Sequence, residues 1–92
     1  MEQTQSLNNK VAFAPYKKAI TRYIRSAMVL TGKKYDDLVI ELEGRGIHLT
    51  TDNLRSKVSK GMFSADLLVA IIDVLDVQEN AMTDILKQVK ND

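Results

Sequence analysis

Three observations predict an all-α protein, a compact bundle of five short helices. Apolar residues recur at spacings of three and four through most of the 92 residues. No stretch alternates with period two for long enough to make a strand. Gly, Ser and Thr stand where helices must end or begin. The length suits one core. Residues 1–12 read as a mobile arm, 13–77 as the domain body and 78–92 as a C-terminal helix available for dimerisation.

Each element has its own grounds. Residues 1–10 are rich in Gln, Asn and Ser with little to bury. Pro15 suits a first helical turn, and Tyr16, Ile20, Tyr23, Ile24, Ala27 and Leu30 follow at helical spacing, so helix one is expected over 15–31, with Gly32 ending it. Asp36 and Asp37 sit early in a second helix, 34–43, with Tyr35, Leu38, Val39 and Leu42 facing inward; Gly44 and Gly46 break it. Thr50 or Thr51 caps a third helix, 52–60, whose Leu54 and Val58 share the buried face. Gly61 stops that helix. Ser64 then opens a segment so apolar from Leu67 to Leu75 that it is expected to be the buried centre of the domain. Ala81, Met82, Ile85, Leu86 and Val89 make the stripe of a fifth helix, 78–90. Of these, Met82, Ile85, Leu86 and Val89 are the candidate dimer contact.

Composition excludes several classes of function. There is no cysteine, hence no disulfide, thiol nucleophile or thiolate metal site, which fits a cytoplasmic protein. The N-terminus MEQTQSLNNK has no apolar run of a secretory signal, and the apolar run from Leu67 to Ile72 is too short to cross a bilayer, so a soluble protein without a membrane partner is expected. His48 is the single histidine and has no second ligand at metal spacing. Asp36-Asp37 and Glu41/Glu43 lie on an exposed helix with nothing to activate them, and Gly32-Lys33-Lys34 lacks the remainder of a P-loop. Neither an enzyme, a cofactor, a metal nor a small-molecule substrate is expected.

Charge is unevenly divided. Residues 3–35 hold seven bases (Lys10, Lys17, Lys18, Arg22, Arg25, Lys33, Lys34) and no acid, whereas 61–92 hold six acids against Lys87 and Lys90. A basic side favours phosphates, although solvated helix faces are often basic too.

Leu38-Val39 in the second helix, Val58-Ser59-Lys60-Gly61 at the end of the third, and a Ser-initiated apolar helix from Ser64 to Leu75 together resemble the lambda-repressor and Cro-like helix-turn-helix domains. The stretch Asn53 to Ser64 is also similar to a small group of uncharacterised bacterial domains of that type. The resemblance spans roughly Ile20 to Val77, with a lengthened connector, Glu43 to Leu49, between the second and third helices. It implies a DNA-binding transcriptional regulator of bacterial or phage kind, acting on double-stranded DNA as a homodimer. The third helix would enter the major groove with Asn53, Ser56 and Lys60 towards base edges, Arg55, Lys57 and Ser59 beside them, and Thr51 donating to a phosphate. Asp52 points the same way and is tolerated only if it accepts from a cytosine amino group. Lys17, Lys18, Arg22 and Arg25 would add backbone contacts. Met62 and Phe63 are expected to pack over the corner before the fourth helix. The alternative is a protein-interaction module or inhibitor of phage or mobile-element type that keeps the fold without binding DNA.

Overall fold

The computed structural model describes residues 2–76 and 80–90, with side chains from Asn8 onward. Five helices and no strand occur among them: α1 (Glu2–Thr31), α2 (Tyr35–Gly44), α3 (Thr51–Lys60), α4 (Ala65–Leu75) and α5 (Ala81–Lys90). Residues 77–79, where the sequence puts the boundary between body and last helix, lie outside the described residues.

Helix α1 organises the rest, since α3, α4 and α5 all pack on it while α2 bridges α3 and α4. The core is built from Tyr23, Ile24, Ala27 and Met28 of α1, Leu38 and Leu42 of α2, Leu54 and Val58 of α3, Ile71, Val74 and Leu75 of α4, and Ala81 and Ile85 of α5. Of the large side chains, Ile24, Leu38, Leu42, Leu54, Ile71, Leu75 and Val58 are fully buried.

The expected start of helix one at Pro15 is corrected. The helix begins at Glu2, with Pro15 inside it, and the stretch read as an arm continues the same helix. Nothing between Glu2 and Ala14 breaks a helix, and Pro15 withholds one N–H from the carbonyl of Val11 and crowds it with its ring, a cost the helix bears without ending there. Thirty residues at 1.5 Å each make about 45 Å, and 45 Å is also the longest dimension of the molecule. Residues 8–14 are exposed throughout. The first half of α1 therefore projects from the body. At the two ends of the predicted stripe Tyr16 is 52% and Leu30 82% exposed, because periodicity sets a direction and not how far the neighbouring helices reach.

Helix α2 opens with the Asp37 carboxylate accepting from the Lys34 N–H at 2.8 Å, where the helix dipole also favours negative charge. Gly44 remains within it. The turn is made by Gly46 at φ +82°, with the Ile47 N–H bonding back to the Leu42 carbonyl at 3.0 Å. The connector from 45 to 50 is tied down by Arg45, whose guanidinium meets Asp73 at 3.1 Å and the Glu41 carbonyl at 3.1 Å.

Helix α4 is less buried than its composition suggests. It packs mainly on α2 and α1, so Ile71, Val74 and Leu75 point inward, Leu67, Leu68, Ala70 and Ile72 are half-buried and Val69 is exposed. The core is instead shared among all five helices, with Ile71 and Leu75 of α4 as deeply buried as Leu54 and Val58 of α3. Ser64 has the extended backbone of an N-cap but makes no cap bond. Its hydroxyl donates to Asp66, which with the Leu67 N–H at 2.9 Å holds that carboxyl below the usual range. Asp76 ends α4 in the left-handed region, at φ +56°. No helix among the described residues is long and apolar enough to cross a membrane.

Candidate nucleic-acid interface

Helix α3 is closed at both ends as its sequence predicts. The Thr50 hydroxyl accepts from the Asn53 N–H at 3.0 Å. At the other end Gly61 adopts φ +62°, and the Gly61 and Met62 N–H groups return to the carbonyls of Val58 and Lys57 at 3.1 and 3.2 Å. This double bond-back satisfies carbonyls that a helix end leaves orphaned.

The same end is where α1 passes. A Cβ on Gly61 would overlap the Lys17 carbonyl oxygen outright, and would lie 2.7 Å from its carbonyl carbon and 2.9 Å from its Cα. Four residues along, the buried Thr21 hydroxyl donates to the Val58 carbonyl at 2.5 Å. Backbone thus meets backbone, and the outer face of α3 is set beside the basic face of α1 at a fixed angle.

Two open grooves flank this contact. One is lined by Asn53, Ser56, Lys57 and Lys60 of α3, Lys17 of α1, and Gly61 to Ser64 of the following turn. The other is lined by Ala14, Lys17, Lys18, Thr21, Arg22 and Arg25 of α1 with Ser59 and Lys60 of α3. Lys17 and Lys60 belong to both, and among the described residues no carboxylate lines either. Ser59 accepts from Arg25 at 3.2 Å, which joins the two helices across the second groove. Asn53, Ser56, Ser59, Lys60, Lys18 and Arg22 are exposed, and Lys17 and Lys57 half-buried.

Two expected contacts do not join them. The Thr51 hydroxyl donates to Asp36 at 2.8 Å and is committed to tying α3 to α2, so it is not presented to a phosphate. Arg55 pairs with Asp52 at 3.2 Å and lies over the Tyr35 ring, 5.3 Å from its centroid. It thereby lines a third groove with Arg25, Lys34 and Asp36, away from Asn53 and Lys60. Asp52 itself is 94% exposed.

The two residues after Gly61 differ. Phe63 packs partly against the core as expected, whereas Met62 is corrected from core to an exposed lining residue of the first groove. Sequence could have flagged it, since the residue after a helix-ending Gly commonly packs back on the last turn rather than into the body. The proposed dimer stripe also divides. Ile85 is buried inside its own protomer and unavailable to a partner, Val89 is half-buried against the core, and Met82 and Leu86 remain exposed. On the inner side of α1, burial, then the nearby charge of Asp84, pushes the Tyr23 phenol above its usual range.

Residues 16–80, more than half of the chain, match DUF6471, a domain family of unknown function. The protein belongs to that family. The body from α1 to α4 falls within the match, while the projecting turns of α1 and all of α5 fall outside it. No curated protein and no solved structure matches the chain.

Proposed function

We propose that this protein is a transcriptional regulator that binds double-stranded DNA with the joined outer faces of α3 and α1, through a helix-turn-helix of repressor-like kind made by α2, the 45–50 connector and α3. The observation that carries the reading is the pair of grooves sharing Lys17 and Lys60. Together they gather Lys17, Lys18, Arg22, Arg25, Lys57 and Lys60, with no carboxylate among the described residues that line them. Such a surface suits phosphates on either side of a helix whose Asn53 and Ser56 are exposed to meet base edges. A duplex fits better than a single strand, because the aromatic ring in the lining, Phe63, packs against the core and is not offered as a stacking platform.

One such domain covers little operator, so we assign the active form as a homodimer that reads paired half-sites, with Met82 and Leu86 at the contact. On this reading the protein is cytoplasmic and not an enzyme.

The test is titration into random duplex across a range of salt. Each phosphate neutralised contributes a slope of about −0.9 in log K against log salt, so a surface of this kind should fall steeply. Lys57→Ala with Lys60→Ala should weaken binding to every sequence and flatten the slope by about 2. Absence of binding at about 50 mM salt overturns the reading. It would favour the protein-interaction alternative, for which the exposed Asp52 at the start of α3 is the specific support.

A further inference from the structure

The projecting first half of α1 is used by nothing so far described. Residues 8–14 are exposed, and of these only Ala14 shares a groove with α3 among the described residues. Lys10 stands seven residues before Lys17, which on a helix is the same face to within about 20°, some 10 Å further along the axis. Between them Ala14 already lines the second groove. It is small, so a backbone lying in that groove can follow α1 upstream without obstruction. From Gln3 to Tyr35 the chain carries no acid.

Resting on the duplex-binding reading, we propose that the projecting half of α1 is a second DNA contact, with Lys10 meeting a backbone phosphate beyond the reach of the domain body. Seven residues at 1.5 Å carry Lys10 about 10 Å past Lys17, or roughly three base pairs at 3.4 Å each. The footprint is accordingly longer than the α1–α3 surface alone requires. Lys10 carries no sequence information; it lengthens the track of neutralised phosphates and fixes the direction in which α1 lies on the duplex.

The experiment compares four full-length proteins: wild type, Lys10→Ala, Lys60→Ala in the shared groove, and Lys87→Ala, an exposed lysine of α5 that lines neither groove. Each is titrated at several salt concentrations into a long duplex and into one trimmed, from the end that α1 overlies, to the shortest that retains body contacts. Helix content by circular dichroism controls for folding, and alanine favours the helix at each position. On the long duplex Lys10→Ala should bind several-fold more weakly with the slope reduced by about 0.9. On the short duplex it should match wild type, whereas Lys60→Ala should be weaker on both. If Lys60→Ala weakens binding while Lys10→Ala behaves as Lys87→Ala, the contact is overturned and duplex binding stands. If wild type binds neither duplex, the duplex reading falls and this contact with it.

Discussion

Gly61→Ala should cost far more than a methyl group normally would, because two independent penalties meet at that position. At φ +62° the residue is left-handed, a conformation that costs a residue with a Cβ about 1–2 kcal/mol. The added carbon would also overlap the Lys17 carbonyl, and the atoms in the way are backbone, so no rotamer change relieves it. Relief requires α1 to move away from α3, loosening Ile24, Leu54 and Val58 and straining the Thr21 to Val58 bond. Overpacking of this type adds about 1–3 kcal/mol. The total, about 2–5 kcal/mol, is a large share of the roughly 5–14 kcal/mol expected for a chain of this length. Gly32→Ala is the control: φ is +72°, and nothing lies within 4 Å of the added carbon, so only the conformational cost applies. Urea denaturation followed by circular dichroism compares the two directly. Equal losses of stability in both variants would refute the claim that α1 and α3 touch through their backbones at Gly61.

Other expectations are as direct. Pro15→Ala restores a helical N–H beside the Val11 carbonyl and should raise the thermal midpoint, by an amount equivalent to up to about 3 kcal/mol; a fall would show that the proline relieves a bend the fold needs. Tyr23, with its ionisation raised in the folded state, favours folding with its neutral form: that contribution is complete below pH about 10 and is lost as pH rises through the folded value. Tyr23→Phe should therefore lose less stability between pH 8 and pH 11 than wild type, measured by urea midpoints. Met82→Lys with Leu86→Lys should halve the mass seen by light scattering and remove the concentration dependence of the thermal midpoint that a dimer confers, while helix content by circular dichroism is kept, since both side chains are exposed on the single chain. A wild-type protein already of monomer mass would remove these residues from the dimer contact.

Much of the fold was legible because its helix ends are written in single residues. Gly32 and Gly61 take the left-handed conformations that end α1 and α3, Thr50 caps α3, and the i, i+4 pair Leu54 and Val58 goes where periodicity sends it. The basic face of α1 was equally plain, as was the outward set Asn53, Ser56, Ser59 and Lys60. What escaped depends on partners distant in sequence. Thr51 and Arg55 sit on an exposed helix, yet their donors are claimed by Asp36 and by Asp52 with Tyr35, and no local pattern announces that. Pro15 reads equally well as a helix start or as an interruption within one, and the polar residues before it carry no stripe to decide between them. Ile85 shows the same limit from the other side. An apolar stripe on a terminal helix looks alike whether it packs on its own protomer or on a second.

The contact at Gly61 separates two properties that in many binding surfaces are entangled. The pitch of α3 against α1 is held from beneath, by Gly61, Thr21, Leu54 and Val58, whereas Asn53 and Ser56 are exposed side chains that take no part in that packing. Random libraries at 53 and 56 should consequently yield mostly folded proteins differing in what they select. The orientation of the helix is inherited unchanged by every member, so such a collection would vary its preferences without having to rediscover its geometry.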